Sequence, residues 1–186
     1  MSPAIDRESL PLGVGAAAST VAWLLGYVCT YALASTRVRE SGVGRLLEFL
    51  GEGAAIYKLV GWVFFNSHLV ETVAEGAPVT VAGNAIGGDN GFTPLLFVVP
   101  PALLLTAGLG LARYRGAEAP GAGALAGLAV VPAYLVLSVL GAVLFTISAG
   151  PATVRPDLLL AVVLAGFLYP AVFGAAGGAL GGATTE

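Results

Sequence analysis

Long apolar stretches separated by short charged clusters dominate the sequence. A hydrocarbon core about 30 Å thick is spanned by about 20 apolar residues in a helix that rises about 1.5 Å per residue. Four stretches approach or exceed this length without a Lys, Arg, Asp or Glu: 12–34, 94–112, 121–147 and 158–180. The pattern therefore predicts transmembrane helices over these ranges.

A fifth stretch, 54–73, is also apolar but carries Lys58, Asn66, His68 and Glu71. If it spans, six of the eight basic residues lie on one side of the membrane: Arg37, Arg39, Arg45, Lys58, Arg113 and Arg115. Basic residues concentrate in cytoplasmic loops, so five spans place the N-terminus outside and the C-terminus in the cytoplasm. If 54–73 does not span, the basic residues divide between both sides, so the charges favour five spans.

Two segments between the apolar stretches have patterns of their own. In 43–52, apolar residues recur every three or four positions from Val43 to Leu50. This predicts a short amphipathic helix in the cytoplasmic interface, with a polar connector of chance periodicity as the alternative. The stretch 74–92 is the longest polar segment; its residues predict a short extended piece near 78–82 and turns at 87–91.

Composition supports one membrane domain, 1–186, over a soluble protein. Charged residues make up 10% of the chain and hydrophobic residues 57%, whereas soluble domains carry about 25% charged residues. The net charge of −3 comes with no basic patch, so nucleic acid is not an expected partner. The predicted fold class is an all-α integral membrane protein with five transmembrane helices.

Small residues predict where these helices touch. Lipid provides no hydrophobic drive for helix association, so residues that permit close approach take over that role. Such positions recur every four residues at the start of the stretch 121–147 and along the last stretch: Gly123, Gly127, Gly166, Gly174 and Gly178. We expect these glycines to form contacts within the chain, with homo-oligomer faces as the alternative.

Prolines inside the stretches predict kinks, and the adjacent pair Pro100 and Pro101 predicts the strongest one. Proline removes a backbone donor and crowds the preceding helical turn. In transporters, broken helices expose backbone groups that bind ions or substrates. A static kink accommodated by packing is the alternative.

The stretch 54–73 holds the candidate polar binding or transport residues. Lys58 is expected to extend its ammonium to lipid headgroups. His68 and Glu71 are three residues apart, so a continuous helix makes them neighbours and a candidate proton or cation site. An interfacial pair bonded to headgroups or loop backbone is the alternative, and Asn66 is expected to hydrogen-bond a neighbouring helix.

An enzyme is the least favoured class. The sequence contains no Gly-x-Ser-x-Gly, no His-Glu-x-x-His and no paired-carboxylate motif, so no catalytic residue is assigned. One histidine and one cysteine, Cys29, make a transition-metal or haem site hard to build. We therefore expect neither a metal nor a cofactor.

Two short sequences carry a family resemblance: the run 61–70, Gly-Trp-Val-Phe-Phe-Asn-Ser-His-Leu-Val, and the run 35–40, Ser-Thr-Arg-Val-Arg-Glu. They resemble a family of small multi-pass membrane proteins from halophilic archaea that has no assigned function. The resemblance implies a location in the cell membrane and about five spans. It transfers no catalytic or binding residue.

Two functions follow from these observations. The first is a non-enzymatic structural or accessory membrane component that acts through helix–helix contacts. The second is a small oligomeric transporter or channel for an ion or small solute, with its path near His68 and Pro100. The expected partners are the lipid bilayer and either a second copy of the chain or another membrane protein.

Overall fold

Four long helices form the body of the protein. The computed structural model describes residues 11–49, 55–76, 81–88 and 91–184. Within these ranges, four helical segments are long and apolar enough to cross a membrane: Leu12–Glu40, Pro94–Tyr114, Pro120–Leu144 and Leu158–Ala183. They indicate a membrane protein, and they are called the first to fourth spans below.

The elements follow in chain order, with short 3₁₀ and π segments inside three of the spans. The helices are α1 Leu12–Glu40, α2 Gly42–Phe49, α3 Ile56–Asn66, α4 Val99–Tyr114, α5 Pro120–Gly127, α6 Val131–Leu144, α7 Leu158–Leu160 and α8 Tyr169–Ala183. A 3₁₀ helix over Pro94–Val98 opens the second span, another over Leu128–Val130 joins α5 to α6, and a π-helix over Ala161–Leu168 joins α7 to α8.

The prediction that 54–73 is a fifth span is wrong. Helix α3 has 11 residues, and at about 1.5 Å per residue it is about 16 Å long, roughly half of the hydrocarbon thickness. The chain reverses after it at Leu69, which has a φ of 61°, and continues as a strand. The apolar residues of α3 are buried by protein rather than lipid, which is why their composition imitates that of a span.

The loss of the fifth span also changes the threading. Pro11 lies beside Arg115, and Gly182 packs on Ala119, so both ends of the described chain lie at the same end of the bundle. An N-terminus outside with a C-terminus in the cytoplasm is therefore incompatible with four spans. With four spans, the sequence assigns five of the eight basic residues to one side of the membrane and three to the other. This difference is only a weak indication of orientation.

A four-stranded antiparallel sheet lies at the end of the bundle where the second and fourth spans begin, and the all-α prediction missed it. Its strands are β1 Thr72–Glu75, β2 Val81–Gly83, β3 Ile147–Ala149 and β4 Ala152–Pro156, in the order β2-β1-β4-β3. Strand β1 pairs with β4, with Thr72 opposite Pro156 and Glu75 opposite Thr153. The sheet thereby joins the segment after α3 to the connection between the third and fourth spans.

The prolines do not break the second span. Pro100 and Pro101 occupy the first turn of α4 after the 3₁₀ helix, where a missing backbone N–H costs little. Pro132 and Pro170 likewise begin α6 and α8 after the 3₁₀ and π segments. Each proline thus marks a change of helical winding inside a continuous span. The structure contradicts a broken helix at Pro100 and leaves the alternative, a static distortion accommodated by packing.

The glycines allow the last helix to pack deeply between two others. Helix α8 makes its most extensive contacts with α4 and α5. A Cβ built on Gly123 would lie 2.1 Å from the carbonyl oxygen of Gly178, and one on Gly127 would lie 2.0 Å from that of Gly174. Gly166 packs against Leu135 of α6, so all five predicted packing glycines lie at contacts within the chain.

Of the predicted amphipathic helix, residues 43–49 belong to α2, and residues 50–52 lie outside the described residues. Arg39, near the end of α1, donates to Glu48 of α2 at 3.3 Å. The ion pair is exposed, so it contributes little stability but is consistent with a close turn between the two helices.

Candidate functional site

Helix α3 enters the bundle from the end at which the third span stops. The ammonium of Lys58 donates to the carbonyl of Thr146 at 2.8 Å, and the indole N–H of Trp62 donates to the carbonyl of Phe145 at 2.6 Å. Both acceptors directly follow α6, whose last carbonyls have no partner within the helix. Lys58 therefore compensates the negative end of α6, whereas the sequence predicted a contact with lipid headgroups.

The turn after α3 reaches the middle of the bundle and then returns to the same end. The Nε2 atom of His68 lies 2.9 Å from the hydroxyl of Tyr134, near the middle of the span Pro120–Leu144. Three residues later, the carbonyl of Glu71 accepts from the N–H of Asp157, directly before the fourth span. We call α3 with this return, 56–71, the re-entrant segment.

The reversal is a helix C-cap of the Schellman type. The N–H of Leu69 donates to the carbonyl of Asn66 at 3.0 Å, and the N–H of Val70 donates to that of Phe65 at 3.2 Å. This pattern places Leu69 at the position that requires a positive φ and usually holds glycine. Val70 and Phe65 both belong to the buried core and supply the apolar contact that accompanies such caps.

His68 is fully buried, and both of its ring nitrogens have partners. Its Nδ1 lies 2.9 Å from the carbonyl of Phe64. Because a carbonyl only accepts, Nδ1 carries the proton, and Nε2 accepts from the hydroxyl of Tyr134. The neutral ring therefore satisfies both partners, and an additional proton on Nε2 would disrupt the bond from Tyr134.

Asn66 holds the two sides of the turn together, and the prediction that it bonds a neighbouring helix is wrong. Its Nδ2 donates to the carbonyl of Val70 at 2.8 Å and to the hydroxyl of Thr72 at 3.3 Å. Its Oδ1 accepts from the N–H of Ala85 at 3.0 Å, and its carbonyl accepts from Asn84 Nδ2 at 2.9 Å. One buried amide thus connects α3, β1 and the segment after β2.

The predicted pairing of His68 with Glu71 is wrong. The helix ends before residue 68 and the chain turns at Leu69, so the two residues do not share a helical face. His68 is buried in the bundle, whereas Glu71 is exposed. Of the four candidate polar residues, the structure brings Asn66 and His68 together in the buried turn and places Lys58 and Glu71 away from it.

Sequence reasoning missed the partners of the buried turn. Tyr134 was available as a signal, since it is the one hydroxyl-bearing aromatic residue within the stretch 121–147. The contacts with Thr72, Asn84 and Ala85 depend on the sheet, whose strands are three to five residues long. Such short strands leave little periodicity to detect.

Two buried polar atoms near the turn have no hydrogen-bond partner among the described residues: Trp23 Nε1 and Ser138 Oγ. Trp23 packs edge-on against Phe64, with ring centroids 5.0 Å apart. Ser138 lies one helical turn after Tyr134 on α6. Unpaired buried groups are rare in folded proteins, so these two atoms are relevant to the function of the bundle core.

A pocket of about 420 Å³ opens beside the re-entrant segment. It lies between α3, the junction of α1 and α2, and the sheet, and we call it the sheet pocket. Its lining is mainly apolar and comprises Val38, Ser41, Leu59, Trp62, Val63, Asn66, Thr72, Ala74, Gly83, Asn84, Ala85, Phe92 and Val154. The volume falls within the range of roughly 300–1,000 Å³ typical of small-molecule sites.

The buried turn and the sheet pocket offer hydrogen-bonding groups and apolar surface. No group of three or more His, Cys, Asp or Glu side chains within the described ranges could hold a metal ion. The buried turn contributes amide, hydroxyl and imidazole groups that already bond one another or the backbone. The arrangement is suited to fixing the segment in place.

Comparison with known proteins gives a family and no assigned activity. No curated protein matches the chain, and no solved structure matches it. A family model matches residues 3–185, nearly the whole chain. The chain therefore belongs to the family of unknown function DUF7978.

Proposed function

We propose that this protein is a non-enzymatic structural or accessory component of the cell membrane, with four spans and a re-entrant segment that supports a sheet at one membrane surface. The observation that carries this proposal is the hydrogen bonding of the buried turn. Its side chains bond one another, the adjacent backbone and Tyr134, which is the arrangement expected of a fixed structural element.

The backbone of the turn gives this proposal its physical reason. Non-helical backbone is tolerated at membrane depth only where it is buried in protein or lines a water-filled cavity. Here Ser67 and His68 both donate to the carbonyl of Phe64, at 2.6 and 2.9 Å. Asn66 donates to the carbonyl of Val70. The polar side chains replace the partners that water would otherwise supply.

The packing glycines support a role that does not depend on self-association through their faces. Gly174 and Gly178 contact the backbone of Gly127 and Gly123 of the same chain. A second copy would have to displace these contacts in order to use the same faces. We therefore place partner contacts on the sheet and on the outer faces of the spans.

A small transporter or channel is the second candidate, and one observation favours it. A re-entrant segment with a buried imidazole near the middle of the bundle is typical of substrate and ion paths. The unpaired Trp23 Nε1 and Ser138 Oγ lie in the same region. In this function, movement of the turn would expose His68 and Asn66 to a solute.

Flux through proteoliposomes separates the two functions. We expect liposomes containing the purified protein to leak protons, Na⁺ and K⁺ no faster than protein-free liposomes. A protein-dependent flux that His68→Phe abolishes, and that the exposed-site control Tyr114→Phe retains, would replace the structural proposal with transport. Tyr114 is 67% exposed and lies at the end of α4.

Thiol labelling tests the threading on which both functions depend. In a Cys29→Ala background, single cysteines at Gly42, Gly87 and Gly116 are labelled by an impermeant reagent in sealed vesicles. Four spans place Gly42 and Gly87 on one side and Gly116 on the other. Labelling of Gly42 and Gly87 from opposite sides would restore the five-span arrangement.

A further inference from the structure

We propose that the sheet pocket binds an acyl chain of an anionic membrane lipid, with the lipid headgroup held by Arg37 and Arg45. The proposal depends on the membrane location of the protein and is independent of whether the protein transports a solute. It rests on three features: the mainly apolar lining of the pocket, the hydrogen bonds that its polar groups already make within the protein, and two nearby arginines that have no acidic partner in the described part of the chain.

The polar groups that line the pocket are already bonded within the protein. The hydroxyl of Ser41 donates to the carbonyl of Val38 at 2.6 Å and accepts from the N–H of Gly44 at 3.1 Å. Asn84 donates to the carbonyl of Asn66 and accepts from the N–H of Ile86. A ligand therefore meets mainly apolar surface from Leu59, Trp62, Val63 and Phe92, which suits a hydrocarbon chain.

Two arginines close in the chain to the pocket-lining Ser41 have no acidic partner among the described residues. Arg37 lies one helical turn before Ser41 on α1, and Arg45 lies one turn after it on α2, where its N–H donates to the carbonyl of Ser41. The N–H of Ser41 in turn donates to the carbonyl of Arg37 at 3.1 Å, so both arginines lie within one helical turn of a residue that lines the pocket. Both side chains are exposed.

The contrast with the neighbouring arginines makes these two informative. Arg39 pairs with Glu48 at 3.3 Å, and Arg155 pairs with Glu75 at 2.7 Å. Within the described ranges, Arg37 and Arg45 have no acidic partner. An apolar pocket beside two unneutralised cations is complementary to a molecule with a hydrocarbon chain and an anionic head, and the surrounding membrane supplies such molecules.

Tryptophan quenching provides a direct test. The chain has two tryptophans; Trp62 lines the pocket and Trp23 is buried in the core. A Trp23→Phe variant removes an indole whose N–H has no partner within the described residues and leaves Trp62 as the single reporter. It is reconstituted in phosphatidylcholine bilayers that contain a small fraction of lipid with a brominated acyl chain, either phosphatidylglycerol or phosphatidylcholine.

We expect brominated phosphatidylglycerol to quench Trp62 more strongly than brominated phosphatidylcholine at the same fraction. Arg37→Gln and Arg45→Gln should each weaken this preference about fivefold, because a basic residue near the membrane surface strengthens anionic lipid binding by about that factor. Gly83→Leu should reduce quenching by both lipids, since Gly83 lines the pocket and a Cβ there meets open space.

The matched control is Gly110→Leu, a change of the same size at an exposed position with nothing within 4 Å of the new Cβ. It should leave the quenching unchanged. Equal quenching by the two brominated lipids, or quenching that survives Gly83→Leu, would overturn the proposal. The outcome is independent of the flux measurement, so a failure here leaves the structural role standing, and a detected flux does not remove the lipid site.

Discussion

Two glycines on the same helix give the sharpest test of how this bundle packs. Gly108 and Gly110 both lie in α4 and differ by two positions. A Cβ on Gly108 would lie 2.0 Å from the carbonyl oxygen of Gly174, whereas a Cβ on Gly110 would have nothing within 4 Å. Gly108→Ala and Gly110→Ala therefore make the same chemical change in opposite surroundings.

The magnitude follows from the obstructing atom. Ordinary contact with a Cβ begins near 3.4 Å, so α8 must shift by more than 1 Å at Gly174, since a backbone oxygen cannot rotate away. Overpacking of this kind costs about 1–3 kcal/mol. Both variants gain the same helix propensity, about 1 kcal/mol. The difference between their unfolding free energies therefore isolates the clash, and we expect Gly108→Ala to be less stable by about 1–3 kcal/mol.

The assay is reversible unfolding in mixed micelles of mild detergent and dodecyl sulfate, followed by circular dichroism and tryptophan fluorescence. Gly110→Ala should unfold at the same denaturant fraction as the parent chain or a higher one. Gly108→Ala should unfold at a lower fraction. If the two variants agree within about 0.5 kcal/mol, which is the usual range for surface substitutions, the close approach of α4 and α8 is not present in the folded protein.

Three further changes test the re-entrant segment by the same unfolding measurement. Tyr134→Phe leaves Nε2 of His68 buried without a donor and should lower the unfolding free energy by about 1–3 kcal/mol; no loss would mean that this bond does not form. Leu69→Gly should raise it by about 1 kcal/mol relative to Leu69→Ala, because only glycine adopts a φ of 61° without strain; equal stabilities would contradict the cap. Lys58→Met removes the donor to Thr146 and should cost about 0.3–1 kcal/mol, with the loss diminishing at high salt; a salt-independent loss would contradict a charge effect.

The four spans could be predicted because length and charge suffice to define them. The predicted stretch 94–112 corresponds to the span Pro94–Tyr114, and 158–180 corresponds to Leu158–Ala183. Lys, Arg, Asp and Glu are expensive inside the hydrocarbon region, so their positions mark where a helix can leave it. The every-fourth-residue spacing of Gly174 and Gly178 likewise indicated a contact face, because small residues at that interval allow two helix backbones to approach closely.

The length of α3 could not be predicted for a related reason. Apolar residues such as Leu59, Val60 and Val63 are equally suited to a helix that faces lipid and to a helix that is buried in protein. Here they are buried in protein. The Schellman cap was hidden too, because its usual marker is glycine and this chain has Leu69 at that position. The distribution of the basic residues then favoured a full span over 54–73. That count included Lys58, whose ammonium instead compensates the end of α6 inside the protein.

The polar residues that made the fifth stretch look functional are the residues that allow it to turn inside the bundle. A chain that stops at mid-depth exposes backbone groups to a region without water, and each unpaired group there costs several kcal/mol. Ser67 and His68 donate to the carbonyl of Phe64. Asn66 donates to the carbonyl of Val70 and accepts from the N–H of Ala85. The hydrogen bonds of the reversal thus account for the presence of each of these three side chains. No solute path is needed to explain why they lie in the core.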